Sequence, residues 1–293
     1  MQQLQGRLLA NEPLNAYTSW RTGGAADYVY LPANLKDLSQ FLRYLPENMP
    51  ITWLGLGSNT LIRDQGVEGV VIVTQGVLRE LSQLESKVIR AEAGISCAQL
   101  ARYSARLGCM GLEFMAGIPG TVGGALAMNA GCFGGETWNT VSLVETINRQ
   151  GEIKIHPKST FQIAYRHVTR PDNEWFVAGH FIFTPGEKEK SLEQIRELLE
   201  KRHLTQPTGT ANCGSVFCNP HGDYAGRLIE SCGLKGKQYG GARVSEKHAN
   251  FILNEQHATS ADIERLIAEV GAIVERETGV RLIPEVCIIG RKK

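Results

Sequence analysis

The chain has 293 residues, 42% of them hydrophobic and 21% charged, with 31 Lys+Arg against 30 Asp+Glu. Two or three compact lobes fit that length, while disordered, collagen-like and coiled-coil chains are excluded by composition, and a net charge of +1 gives no basic excess for a nucleic-acid partner. Glycine is the deviation: 32 residues, roughly 11% against a typical ~7%.

The N-terminal MQQLQGRLLANEP carries one positive charge and lacks a signal peptide's apolar stretch, and no later run approaches the ~18 apolar residues of a membrane span. A cytoplasmic protein with no membrane partner is expected. Leu35, Leu38, Phe41, Leu42 and Leu45 fall at helical spacing, and Ile51 to Leu56 and Val67 to Val73 read as strands. Val88 to Ala93 reads as another strand, and Ser96 can cap a helix ending at Gly108. Val141 to Asn148, the Gln150-Gly151 turn and Glu152 to His156 predict a hairpin, followed by a strand from Trp175 to Phe183. A charged helix from Lys190 to His203 runs into the turn-forming Thr205 to Gly209, where a domain boundary is placed. Beyond it come a short helix from Asp223 to Cys232, strands near Gly241 to Val244 and Asn250 to Leu253, and a helix from Ser260 to Thr278. Thr259 and Asp262 give that helix a capping-box start, and a last strand runs from Arg281 to Ile289. Helices and strands mix without strict alternation, so the class is α+β. The expected segments are 1–73 as a first lobe, on which 286–293 can pack back, 74–204 as a second, and 205–293 as a third.

The seven cysteines, odd in number and without a Cys-x-x-Cys pair, are expected to be reduced and buried, and no metal site emerges. The glycines are clustered: four between Gly55 and Gly69, nine between Gly108 and Gly135, eight between Gly209 and Gly241. Clustered glycines beside hydroxyl residues suggest loops whose N–H groups face an anion. Gly55-Leu56-Gly57-Ser58-Asn59 and Gly117-Ile118-Pro119-Gly120-Thr121-Val122-Gly123-Gly124 are the two candidates, the second leading into a helix-opening Ala125 to Ala130. A diphosphate held by both is the functional reading; tight turns in a β-rich lobe are the alternative. Neither is a Walker A or a Gly-x-Gly-x-x-Gly sequence.

Three side chains can carry chemistry. Ser215, in Asn212-Cys213-Gly214-Ser215-Val216-Phe217, can donate a proton or be a turn serine, and no Gly-x-Ser-x-Gly elbow surrounds it. Arg166 after Tyr165 can clamp a carboxylate or face solvent. Glu285, in Pro284-Glu285-Val286, lies in an otherwise apolar strand, where burial would raise its pKa and suit acid-base work, or at an edge facing water. Asn219, Lys235 and His248 are polar groups near the third glycine cluster.

The runs Thr18 to Gly24, Gly57 to Asn59, Gly117 to Gly124, Tyr165-Arg166, Gly214 to Phe217 with Asn219-Pro220, Leu234 to Gly236, His248 to Phe251 and Pro284 to Val286 resemble, in that order, the UDP-N-acetylenolpyruvoylglucosamine reductase family, also called UDP-N-acetylmuramate dehydrogenases. The resemblance covers essentially the whole chain. It implies two N-terminal lobes of the vanillyl-alcohol-oxidase type holding FAD non-covalently and a C-terminal α+β substrate domain. It further implies reduction of the flavin by NADPH, and hydride transfer from flavin N5 to C3 of an enolpyruvyl UDP-sugar. On the family pattern Ser215 protonates C2, Arg166 and Glu285 bind and polarise the substrate carboxylate, and Gly55, Gly57, Ser58, Asn59, Gly117, Ile118, Pro119, Gly120, Thr121, Gly123 and Gly124 cradle FAD. Tyr165, Asn219, Lys235 and His248 fall at substrate-binding positions, Lys235 suiting a pyrophosphate. An anionic substrate beside Glu285 implies that this carboxyl is protonated in the complex.

Two departures stand out. Cys218 occupies a position where many relatives carry a basic residue, which puts a phosphate contact there in doubt. The chain is also too short for the inserted tyrosine-bearing substrate loop, so it resembles the shorter subclass. The other readings are a different FAD-dependent oxidase or dehydrogenase on the same scaffold and a non-redox nucleotide-sugar-binding protein. A monomer or weak oligomer is expected, with the small-molecule substrate and NADPH as its partners.

Overall fold

The computed structural model describes residues 4–85 and 87–292, so the first three residues of the N-terminal segment and Lys293 lie outside the described residues. The chain forms two compact units, each discontinuous in sequence: 1–9, 28–56 and 69–201 make the first, and 10–27, 57–68 and 202–293 the second. These bounds differ from the three consecutive segments read from the sequence. Short returns of the chain at 10–27 and 57–68, which carry no composition shift, join the C-terminal residues.

In the first unit, α1 (Leu35–Tyr44) is capped by the Asn34 side chain accepting from the Asp37 N–H at 2.9 Å. Its Leu38, Phe41 and Leu42 pack with Tyr30, Val70 and Ile72. The associated sheet has the order Arg7–Pro13, Ala25–Leu31, Val67–Val73, Ile51–Leu54, the last two strands parallel. A second, five-stranded sheet orders Ile153–Pro157, Val141–Asn148, Glu174–Ile182, Val88–Glu92 and Leu81–Glu85, all antiparallel. Against it lie α2 (Cys97–Arg106) and α3 (Val122–Met128), whose apolar faces form the largest core with Ile89, Val144 and Phe181. Ser96 caps α2 through the reciprocal bonds with Gln99 of a capping box. A fourth helix, α4 (Lys188–Thr205), adds Ile195 to the same core.

The second unit is built around α6 (Ser260–Thr278), whose Ile263, Leu266, Ile267, Val270 and Val274 are buried with Trp20, Val216, Phe217 and the short α5 (Ala225–Ser231). A capping box at Thr259 and Asp262 begins α6, and Gly279 in the left-handed conformation ends it. The expected final strand is shorter than its apolar pattern: only Cys287–Ile289 pairs, in parallel with Thr60–Ile62. Pro284, which has no N–H for a ladder, makes an isolated bridge to Phe217 instead. Glu285 therefore stands outside the strand.

All seven cysteines are free, but only Cys97, Cys109 and Cys213 are buried, and Cys287 is exposed. Among the described residues no group of His, Cys, Asp and Glu is placed to hold a metal. No helix is long and apolar enough to cross a membrane.

Candidate active site

The two glycine loops are built differently. In the second loop four of the backbone donors are already used. The Ile118 N–H goes to the Met115 carbonyl at 3.1 Å, Gly120 to Ile118 at 2.9 Å, Val122 to Ile95 at 2.8 Å and Gly123 to Ala93 at 2.9 Å. These bonds knit the start of α3 to the end of the Val88–Glu92 strand. They explain the glycine at 123, where a Cβ would come within 2.8 Å of the Ala93 Cβ. In the first loop, by contrast, no hydrogen bond among the described residues uses the N–H groups of Gly55, Leu56, Gly57 or Ser58. Of the two expected anion cradles, the first has donors to offer, and the second supplies mainly close packing.

Gly55, Gly123 and Gly124 line one cavity of about 280 Å³ in the first unit, together with Trp53, Trp175 and Arg170. That volume is at the lower edge of the ~300–1,000 Å³ of small-molecule sites and suits one end of a dinucleotide. The Trp53 and Trp175 rings stack with centroids 5.4 Å apart, and the buried Trp53 Nε1 donates to no group. Arg170, an exposed side chain at the cavity, has its pKa lowered by partial desolvation. A glycine wall, an orphaned indole donor and an arginine cation fit an aromatic, anionic cofactor such as FAD. Neither Trp53 nor Arg170 belongs to a glycine motif, and both went unremarked in the sequence.

α3 also leads to the arginine. Asn129, at its C-terminus with φ 46°, donates through Nδ2 to Glu136 at 3.0 Å and to the Ala164 carbonyl at 3.2 Å, and accepts from the Trp138 N–H at 3.1 Å. Tyr165 and Arg166 are the two central residues of the hairpin joining Gln162–Ala164 to His167–Thr169, where Ala164 pairs with His167. The Arg166 guanidinium donates to the Asn129 carbonyl at 3.4 Å and the Gly131 carbonyl at 3.1 Å, and lies 5.0 Å from the Tyr165 ring centroid. Arg166 has φ 55°, a conformation costly for a side-chain-bearing residue and concentrated at functional sites. The backbone thus aims this arginine, and two main-chain carbonyl oxygens orient its guanidinium.

Ser215 and Glu285 lie together in the second unit. Ser215 follows Gly214, which has φ 73°, while Asn212 Oδ1 accepts the Gly214 N–H at 2.9 Å. The next residues form a short extended segment held on both sides. On one side the Val216 N–H donates to the Asn250 carbonyl at 2.9 Å, and the Asn250 side chain accepts from the Phe217 N–H at 3.0 Å and donates to the Phe217 carbonyl at 2.8 Å. On the other the Glu285 N–H donates to the Val216 carbonyl at 2.8 Å and the Cys218 N–H to the Ile283 carbonyl at 2.9 Å. The Glu285 carbonyl in turn accepts from Asn59 Nδ2 at 3.0 Å, so Asn59, expected to hold cofactor, here holds main chain. Ser215 is half-buried, and its hydroxyl hydrogen-bonds to no other group among the described residues.

The remaining candidates lie in the same unit. His248 Nδ1 accepts from the Asn250 N–H at 3.3 Å, which leaves Nε2 to carry the proton of the neutral ring. Burial, reinforced by the Lys235 charge, pushes its pKa below the ordinary 6.5. Lys235 pairs with Glu230 at 2.6 Å, and the exposed Asn219 accepts from the Ala225 N–H at 3.1 Å, leaving its side-chain NH₂ for a ligand. Arg166 and Tyr165 belong to the first unit and the other candidate catalytic and substrate-binding residues to the second.

Residues 206–289 match the family described as UDP-N-acetylenolpyruvoylglucosamine reductase, C-terminal domain, and residues 26–155 match the FAD binding domain family. Over 287 residues the chain is 58% identical to the UDP-N-acetylenolpyruvoylglucosamine reductase of Legionella pneumophila, covering 98% of this chain and 93% of that protein. Over 308 it is 53% identical to that of Coxiella burnetii, covering 99% and 98%. The crystal structure of the corresponding reductase from Thermus caldophilus superposes with a TM-score of 0.82 at 30% identity, covering 97% of this chain and 98% of the other. A 6-hydroxy-D-nicotine oxidase from Arthrobacter nicotinovorans shares the fold at 11% identity with a TM-score of 0.58, covering 96% and 89%.

Proposed function

Because this chain belongs to the UDP-N-acetylenolpyruvoylglucosamine reductase family, we propose that it reduces UDP-N-acetylglucosamine enolpyruvate to UDP-N-acetylmuramate with NADPH as hydride donor. The chain is an FAD-containing oxidoreductase of peptidoglycan precursor synthesis. FAD, when bound, would supply the hydride-transfer chemistry that links NADPH to the enolpyruvyl C3. Gly55, Gly57 and Ser58 would give it backbone donors, with Gly123, Gly124, Trp53 and Arg170 as the walls of its pocket.

The protein's own task is the charge that appears at C2. Hydride addition to an enol ether is uphill unless that charge spreads into a carboxylate whose own charge is neutralised. The Arg166 guanidinium, oriented by the Asn129 and Gly131 carbonyls, fits that role. Glu285 in its protonated form donates to the same carboxylate, since an ionised Glu285 would repel it. Ser215 gives its hydroxyl proton to C2 as the C3–H bond forms, and water restores that proton. Lys235 exchanges Glu230 for the substrate pyrophosphate, and Asn219 and His248 bind the sugar nucleotide.

The observation that carries this reading is the Ser215 hydroxyl, which hydrogen-bonds to no other group among the described residues and stands on a main chain fixed from both sides. The test is NADPH oxidation by flavin-loaded protein with and without the enolpyruvyl substrate. Oxidation that rises with substrate and yields UDP-N-acetylmuramate is expected; a flavin-loaded preparation with no substrate-dependent turnover rejects the assignment.

A further inference from the structure

We infer that Asn250 is a positioning residue for the proton-transfer step, fixing the Ser215 loop through its side chain and the His248 ring through its backbone. This rests on the reductase reading above and goes beyond it, since Asn250 is itself neither proton donor nor substrate ligand.

The Asn250 side-chain amide imitates a neighbouring strand. Its oxygen accepts from the Phe217 N–H at 3.0 Å and its nitrogen donates to the Phe217 carbonyl at 2.8 Å, the two-bond exchange of an antiparallel pair. The Asn250 carbonyl accepts from the Val216 N–H, so one residue binds three of the four backbone polar groups of Val216 and Phe217, directly after Ser215. Its N–H faces the other way, into His248 Nδ1. A tight turn prepares both: Ser245 Oγ accepts from the Lys247 and His248 N–H groups at 3.1 and 3.3 Å, and the Ser245 N–H donates to Phe251 at 2.8 Å. Asn250 is 3% exposed, so its side-chain bonds to Phe217 are shielded from bulk solvent. On the far side of the segment, the main chain of Glu285 closes the arrangement. Ser215 and Glu285 therefore sit on adjacent extended segments whose spacing is set by backbone hydrogen bonds, with Asn250 as the outer rail. Because the Ser215 hydroxyl hydrogen-bonds to no other group among the described residues, its direction depends on the segment that Asn250 holds.

The test separates the half-reactions. Asn250→Asp keeps the acceptor for Phe217 N–H but turns the donor to Phe217 C=O into a repelling oxygen. In this variant, flavin reduction by NADPH should keep its native rate. Reoxidation by the enolpyruvyl substrate should slow by about 10- to 100-fold, the cost of misplacing a reacting group by about an ångström. Substrate affinity of the reduced enzyme should stay within about 3-fold, and the solvent isotope effect on reoxidation should rise. Adding Asn250→Asp to Ser215→Ala should slow the enzyme no further, because both act on one proton transfer. Multiplying losses in the double variant, or equal damage to both half-reactions, overturns the proposal. Should the aspartate variant fail to accumulate with flavin, Asn250→Ser, which keeps the Asn250 backbone bonds to Val216 and His248 and removes both side-chain bonds to Phe217, carries the same comparison. Failure of the underlying reductase reading looks different: native reduced enzyme would not be reoxidised by the substrate at all.

Discussion

On the five-stranded sheet of the first unit, Arg90 donates to both Glu145 oxygens at 2.7 and 2.8 Å, His180 Nε2 lies 2.8 Å from the same carboxylate, and Glu80 and Glu92 complete the set. Around Ser215 in the second unit the order is reversed: main-chain groups are paired, and the Ser215 hydroxyl hydrogen-bonds to no other group among the described residues. The first cluster holds a strongly perturbed acid. Burial alone would raise the Glu145 pKa, but hydrogen bonds from Arg90 and His180 outweigh it and bring it down to about 2. At Glu145 perturbed acidity marks a self-satisfied scaffold, whereas the Ser215 candidate is recognised by a fixed backbone with an unsatisfied side chain.

Three substitutions or conditions can break that contrast. The largest effect is expected for Ser215→Ala, which should slow flavin reoxidation by substrate by about 10²- to 10⁴-fold, the range for a lost general acid. Flavin reduction by NADPH should be unaffected, and stability should change by no more than about 0.5 kcal/mol because no bond is lost. Rapid-mixing absorbance of each half-reaction and a denaturation curve check both; equal slowing of the two halves would refute the proton-donor role. Glu145→Ala should do the opposite, costing about 3 kcal/mol by stranding the largely buried Arg90 while the substrate half-reaction keeps its rate. A loss of activity in stably folded protein would place the sheet cluster in the mechanism. The smallest effect is in pH. A carboxyl whose folded pKa is about 2, below an ordinary 4.5, contributes stability that is fully present above pH 4.5 and lost as the pH falls toward 2. The stability difference between native protein and Glu145→Gln should accordingly shrink between pH 4.5 and 2, and a constant difference would show that Arg90 and His180 do not set that pKa.

The regular elements were legible because local signals agreed with their packing. The Ser96 and Thr259 capping boxes and the apolar stripe of α6 mark helices that the structure contains. The strands Arg7–Pro13 and Ala25–Leu31 were not read, for their burial comes from distant residues and leaves no clean alternation. Arg281 to Ile289 misled in the other direction: an apolar run promised a strand, and a proline without an N–H ended the ladder. At the site, motif order pointed to Ser215, Arg166 and Glu285. The supports were not visible, because Asn129, Asn250 and Asn59 act through hydrogen bonds to residues far along the chain, and an asparagine in a sequence does not announce its acceptor.

The parallel pairing of Cys287–Ile289 with Thr60–Ile62 has a consequence for biosynthesis. A ribosome releases the Thr60 segment more than two hundred residues before its partner at Cys287, so the second unit cannot close this β-pairing until residues 287–289 have emerged. Glu285, and the Asn59 bond that fixes it, arrive with the same stretch. A nascent chain can therefore assemble the proposed glycine-lined cofactor pocket while it still lacks a carboxyl of the proposed reaction centre.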